Sequence, residues 1–159
     1  MADDQLKILI TQGLQALRSG AEVAARATSE IQNDASHPQL REALKSGEQH
    51  SQQWMQRIES ALQEAGGQSG GQSNPIMESI HQVSAKIRQQ APDPTTRDLG
   101  IIASGQIALH YWIAGFGTLR AYAAQCGMTQ TEQSMRQCLN EAKQADEQQT
   151  DLAQQIMRG

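Results

Sequence analysis

The sequence predicts an all-α fold: four long helices in a bundle, with a short extra helix in the connection between the second and the third. Three observations carry that expectation. Alanine, leucine, isoleucine and glutamine dominate, while valine and the aromatics are scarce, a composition that favours helix over sheet. Apolar residues recur every three or four positions through each long segment, the period of a helix with one buried face. Turn-forming clusters separate those segments: "NDASHP" (33–38), "GGQSGGQSNP" (66–75), "APDPTT" (91–96) and "CGMTQ" (126–130). At 159 residues the chain is the size of one domain, 1–159, long enough to bury a core.

The first helix spans about 3–33, with a stripe at Leu6, Ile10, Gly13/Leu14, Leu17, Ala21, Ala24, Thr28 and Ile31. The second opens near Ser36, which can cap, and Pro38, which suits a first turn. Its stripe runs through Leu40, Leu44, Gly47, Ser51, Trp54, Ile58, Ala61 and Ala65 and stops at Gly66-Gly67. A Gly/Ser/Gln/Asn connector leads to "PIMESIHQVSAKIRQQ", a short amphipathic helix with Ile76, Ile80, Val83 and Ile87 on one side, ended by Pro92 and Pro94. Thr95 or Asp93 caps the third long helix, which reaches Gln125 and is closed by Gly127. Thr129 or Thr131 opens the last, with Met135, Cys138/Leu139, Ala142, Ala145, Gln149, Leu152 and Ile156 inward. Short loops force antiparallel neighbours, and one long connection that crosses the bundle end to end is the topology of ferritin-like bundles.

The formal charge is −4 with no local cluster of Lys and Arg, which argues against a nucleic-acid partner. The N-terminus "MADDQLKILI" is acidic and lacks a basic n-region and a cleavage signal. No apolar run is read as long enough to cross a bilayer. These features lead to the expectation of a cytoplasmic protein with no membrane partner. Cys126 and Cys138 fall at different heights of an antiparallel pair and are read as free thiols. There is no phosphate loop, CxxC, HExxH or GxSxG, so no catalytic residue is assigned. His37, beside Pro38, is expected at the surface, and Glu78 and His81 are expected as a solvated pair on one face of the short helix.

The third long helix contains "QIALHYWIAGFGTLRAYA" (106–123). Gly115 and Gly117, with Gly105, Ala108 and Ala114, thin the helix, at about 1 kcal/mol of helix propensity per glycine relative to alanine. Close approach of a neighbouring helix, or a dimer contact, is the compensation expected. Phosphate binding is excluded because these glycines lie far from a helix N-terminus.

"HYWIAGFGTLRAYAAQCGM", together with "ASHPQLREAL" and "LNEAKQADEQQTDLA", resembles the bacterial YciE/YciF family of ferritin-like proteins over essentially the whole chain. Its most specific part is Ile113 to Arg120. The resemblance implies a stress-associated bundle, commonly dimeric, with a carboxylate-rich centre suited to two metal ions. Such a centre needs about four carboxylates and two histidines from four helices, and iron or manganese favours those oxygen and imidazole donors. Against the family pattern, however, a first-helix Glu is replaced by Ala21 and a second-helix His by Gly47, while acidic positions fall at Gln49 and His50. Two third-helix glutamates are replaced by Leu109 and Trp112, and one residue of a fourth-helix EE pair by Ala142. His110, Tyr111, Glu141 and Asp146 match the pattern, and Glu48 lies beside His50.

Ala21, Gly47 and Ala142 fall on stripes that periodicity places inward, Leu109 and Trp112 lie three apart on one helical face, and the replacements are uncharged. Buried carboxylates without cations repel and desolvate at several kcal/mol each, so a chain that gives up the metals gains by losing the cluster. The expectation is therefore a non-catalytic ferritin-like protein with a degenerate dinuclear centre, no cofactor, and a structural or binding role as a homodimer. His110 is expected beside the core with its ring nitrogens satisfied, and Trp112 and Leu109 to fill the space of the ions or to leave a cavity for an apolar ligand. The rival expectation is an iron- or manganese-dependent oxidase or iron handler using His50, His110, Glu141 and Asp146.

Overall fold

A computed structural model of the chain describes residues 2–68, 70 and 73–159. It contains five helices: α1 (Ala2–Asp34), α2 (Pro38–Glu64), α3 (Pro75–Gln90), α4 (Pro94–Gln125) and α5 (Thr129–Arg158). Part of the Gly-rich connector, residues 69, 71 and 72, lies outside the described residues.

Contacts between elements give the topology. α1 packs on α2 and α4, and α5 packs on α2 and α4, so the four long helices form a square. Gly67, just past α2, meets Thr11 of α1, and Thr131 of α5 is bonded to Glu64 at the end of α2. Asp98, five residues into α4, is bonded to Ser36 and His37 at the start of α2. Helices α2 and α4 therefore start at the same end, and the connector carries the chain the full length of the bundle. The short helix α3 runs beside α1 and α4, from Asn74 against Ala16 to Arg88 against Asp34. This is the ferritin-like arrangement, with the short helix in the crossover.

The inward stripes of α1, α2 and α5 match the periodicity closely. Ile10, Leu14, Leu17 and Ala21 of α1, Trp54, Ile58 and Ala61 of α2, Trp112, Phe116 and Leu119 of α4, and Met135, Cys138 and Ala142 of α5 form one core. A smaller core of Ala35, Leu40, Ile101, Ile102 and Leu152 closes the end where α2 and α4 begin. The short helix α3 departs from expectation. Ile76 and Val83 of α3 face solvent, and its buried residues are Met77, Ser84 and Arg88. The reason is electrostatic: the Arg88 guanidinium bonds Asp34 at 2.8 Å and the Ser84 hydroxyl at 2.8 Å, which turns that side of α3 toward α1.

Helix ends reveal a second departure. Asn74 caps α3 and Asp93 caps α4, accepting from the N–H groups of Met77 and Thr96. The starts of α2 and α5, in contrast, have no side-chain N-cap of their own, neither from Ser36 nor from Thr129. Carboxylates from distant helices serve them instead. Asp98, 3% exposed, accepts from the N–H groups of Ser36 and His37, both at 2.8 Å. Glu64 accepts from the N–H of Gln130 at 3.2 Å and from the N–H and hydroxyl of Thr131, both at 2.6 Å. Burial opposes ionisation of Glu64, but those Thr131 and Gln130 bonds outweigh it and hold its pKa below the ordinary value. These two links tie α4 to the α1–α2 turn and α2 to the start of α5, where orphan helix N–H groups favour negative charge.

The glycines of α4 divide by role. A Cβ on Gly115 would stand 2.8 Å from Leu17 Cδ2 of α1, so this glycine permits the close approach. At Gly105 a Cβ would meet nothing within 4 Å. Gly127, at φ +67°, takes the left-handed turn that ends α4. Contrary to the reading of apolar runs, α4 is long and apolar enough by composition to cross a membrane. In the bundle it packs against α1, α3 and α5, and its apolarity extends to outward residues such as Ala103, Ile107 and Ala114.

Candidate functional site

The four candidate metal ligands separate into two places. Glu141 of α5 is turned toward α2, where its Oε2 accepts a hydrogen bond from Arg57 Nη1 and another from Trp54 Nε1, each at 2.7 Å. Both charged side chains are about one-fifth exposed, at 21% and 20%. Burial raises the Glu141 pKa, but the Arg57 and Trp54 hydrogen bonds more than reverse it and hold the group below the usual carboxylate range. Beside it, burial pushes the Cys138 thiol up to about 11 despite the Arg57 contact, so this thiol stays protonated and unreactive. One helical turn before Trp54, His50 stacks on the indole, with ring centroids 6.2 Å apart and planes 6° from parallel.

His110 and Asp146 form the second group, with His110 Nε2 at 3.1 Å from Asp146 Oδ2. The His110 side chain is 67% exposed. This histidine stands on the outside of α4, not beside the core as expected. Asp146 also accepts from Gln106 Nε2 at 3.2 Å. Among the described residues, no three side chains of His, Cys, Asp or Glu converge in a metal-binding group. Among the described residues the donor set of a dinuclear centre is not assembled, and Oε2 of Glu141 is already held by Arg57 and Trp54.

At three of the positions where the resemblance leads to the expectation of metal ligands, the interior is apolar. Ala21, Trp112 and Ala142 are 1%, 3% and 0% exposed. Trp54, Trp112 and Phe116 pack ring on ring at 5.2 to 5.8 Å between centroids, the range of favourable aromatic pairs. Alongside lies a cavity of about 170 Å³, bounded by residues from all five helices, including Gly47, Leu109 and Trp112. Its walls are mostly aliphatic and aromatic, with polar points that include His50, His81, Thr28, Gln148 and Gln149 and the serines at 46, 51, 84 and 104. Tyr111 lies on the other side of the wall, where its hydroxyl accepts from Asn74 Nδ2 at 2.6 Å. Burial raises its pKa, with the Asn74 bond opposing.

Two expectations about histidines change as a result. Glu78 and His81 do not pair; Glu78 meets Arg26 at 3.2 Å, and His81 Nε2 faces Glu30 at 3.7 Å. His81 is half-buried between the bundle and α3, not solvated. His37 is half-buried as well, because its backbone N–H is held by Asp98. Arg57 was not singled out from the sequence. Arg57 lies three residues after Trp54, next to the inward stripe, but its partner is 84 residues away, and no local pattern signals that pairing.

Comparison with known proteins agrees with the architecture. The family described as "Domain of unknown function (DUF892)" matches residues 5–159. Protein YciF of Escherichia coli (strain K12) is 32% identical over 77 residues, which is 48% of this chain and 46% of that protein. The aligned stretch thus spans about half the length of the curated relative it matches. The crystal structure of the E. coli stress protein YciF superposes with a TM-score of 0.92 at 22% identity, covering 96% of this chain and 97% of the other. YcfI from Rhodopseudomonas palustris superposes with a TM-score of 0.87 at 23% identity, covering 91% and 92%. At these identities the two superpositions bear on fold alone.

Proposed function

The chain belongs to the DUF892 family, the YciE/YciF family of ferritin-like bundles, and from that premise we propose that it is a non-catalytic member. In this reading it is a bacterial stress-associated protein with a degenerate dinuclear centre, acting through binding or structure and not through metal chemistry. The observation that carries the reading is the fate of Glu141, a carboxylate beside the main core. Glu141 is neutralised by Arg57 and bonded by Trp54, so its charge is balanced by the protein's own cation. A buried carboxylate intended for a metal is balanced by the metal. The apolar residues at the family's ligand positions point the same way, because hard divalent ions need oxygen donors.

The rival, an iron- or manganese-dependent oxidase or iron handler, requires His50, His110, Glu141 and Asp146 to act together. Elemental analysis of protein purified from iron- and manganese-supplemented medium separates the two. Less than about 0.1 equivalent of either metal is expected; one equivalent or more, lost on His110→Ala, overturns the proposal. The same reading includes a homodimer. Ile76, Val83 and Ile107 are 58%, 51% and 56% exposed and border one shallow apolar depression between α3 and α4, a surface suited to a self-complementary contact.

A further inference from the structure

The two apolar cores do not meet. Along α2 the buried residues of the smaller core stop at Leu40 and those of the main core begin at Trp54; along α4 the limits are Ile102 and Trp112. Between those levels lies the cavity of about 170 Å³, and small residues leave the space. Gly47 of α2 and Gly105 of α4 both line it, and a Cβ added at either would meet nothing within 4 Å. The lining runs from Ala43 to Trp54 on α2 and from Val23 to Ile31 on α1, about 12–16 Å of helix. The volume holds about six methylene-sized groups at ~30 Å³ each. Drawn out over that length, it is a slot that suits a chain more than a ring.

The walls sort by chemistry. Ala24 and Ile31 of α1, Leu44 of α2, Ile80 of α3 and Ala108 and Leu109 of α4 line the slot, and each keeps part of its surface accessible. Those aliphatic carbons are what an occupant meets. Trp54 and Trp112 take no part in recognition, being packed on each other and on Phe116. Nor does His81 Nδ1, which is buried and unpaired.

The side between α2 and α5 is polar. Ser46 and Gln148 line the cavity and are exposed, while His50 and Gln149 line it half-buried. Among the described residues none of these side chains has a hydrogen-bond partner. His50 shares a helix face with Arg57, and Gln148 with Glu141. The opening therefore continues the seam that the Arg57–Glu141 pair closes about two turns away. No described Lys, Arg, Asp or Glu lines the cavity, so a charged end group would lose hydration without gaining a counter-ion. An uncharged hydroxyl at the seam finds amide, hydroxyl and imidazole partners.

We propose that this slot binds an unbranched aliphatic alcohol of about six carbons, with the chain among the aliphatic walls and the hydroxyl at the α2–α5 seam. The site deepens the binding role proposed above and rests on the centre being free of metal.

The test is calorimetric titration of the full chain with 1-butanol, 1-pentanol and 1-hexanol. Saturable binding of 1-hexanol below about 1 mM is expected, and each methylene added in the series tightens binding about three- to fourfold. The gain is expected to stop by 1-nonanol, which outruns the slot; a gain that continues signals adsorption on the outer apolar surface and overturns the proposal. Cyclohexanol, for its ring, and hexanoate, for its charge, are each expected to bind about tenfold more weakly than 1-hexanol. Equal affinity for either overturns the proposed ligand class. Gly105→Leu fills the slot and is expected to abolish binding, with circular dichroism checking the fold; Gly47→Val, on another helix, repeats the test should the first variant fail to fold. No saturation by 1-hexanol up to about 10 mM overturns the proposal, as does unchanged binding in a folded variant with the slot filled. Metal content is measured on the same samples. Bound metal overturns the non-metal reading of the family member, whereas metal-free protein that ignores 1-hexanol overturns the cavity proposal alone.

Discussion

The pairing of Glu141 with Arg57 makes a prediction that can be worked through in numbers. Arg57→Met keeps most of the apolar stem and removes the charge and the 2.7 Å bond, leaving Glu141 with the Trp54 N–H as its one strong donor. Removing one partner of a fully buried pair costs about 3–5 kcal/mol, and an exposed pair is worth about 0–1 kcal/mol. With both side chains about one-fifth exposed and Trp54 still donating, the expected loss is about 2 kcal/mol at pH 7. For a chain of this length that lowers Tm by about 4–8 °C. Glu141→Gln retains an acceptor for both donors and is expected to cost about 1 kcal/mol. The double variant is expected to be no worse than Arg57→Met, giving a coupling of about 1–2 kcal/mol.

The pH dependence has a definite sign. Glu141 has a folded pKa below its ordinary value, so its contribution is fully present above the unfolded pKa, near 4.5. It disappears as pH falls through the lowered folded value. In Arg57→Met, burial is left opposed chiefly by Trp54, the folded pKa rises, and less stability remains to be lost in acid. The gap between wild type and Arg57→Met should therefore narrow from pH 7 to pH 3. Urea unfolding followed by far-ultraviolet circular dichroism at both pH values measures it. An Arg57→Met protein with unchanged midpoint at pH 7, or with the same deficit at both pH values, refutes the reasoning.

Two further outcomes follow from packing. Gly105→Ala is expected to stabilise by about 1 kcal/mol through helix propensity alone, since its Cβ meets nothing. In Gly115→Ala the same gain is offset by crowding of Leu17 at 2.8 Å, which costs about 1–3 kcal/mol. The two chemical-denaturation curves should shift in opposite directions or leave Gly115→Ala unimproved, and equal stabilisation of both contradicts a close α1–α4 approach. Sedimentation at tens of micromolar is expected to give a particle of twice the 17.4 kDa chain mass, reduced to one chain by Ile107→Lys. A wild-type particle of single-chain mass counts against the dimer.

The candidate site was legible in its omissions. Ala21, Gly47 and Ala142 could be placed on inward faces, and Leu109 and Trp112 on one common face, from their spacing, because a helix imposes one period on everything it carries. Where the structure put the remaining polar groups was not legible. His110 sits in a strongly apolar helix, and when nearly every position of a helix is apolar the pattern no longer says which side is in. That is why His110 was placed beside the core and stands outside. The same ambiguity hid the outward apolar residues of α4. On α3, Ile76 and Val83 formed the more regular stripe, and a salt bridge from Arg88 to Asp34 decided the orientation against it.

The sequence by itself determined the five helices, their order, the inward faces of α1, α2 and α5, and the long connection from α2 to α4 that carries α3, because period, glycine and proline act over a few residues. Tertiary structure alone decided the remote caps from Asp98 and Glu64, the Arg57–Glu141–Trp54 cluster, and the unpaired His81 Nδ1 beside a cavity. Each of these depends on residues that are far apart in the chain, 61 residues for Asp98 and His37 and 84 for Arg57 and Glu141. Helix geometry fixes which way a side chain leaves its own axis; what it meets depends on how neighbouring helices are rotated and offset, and only packing sets those values.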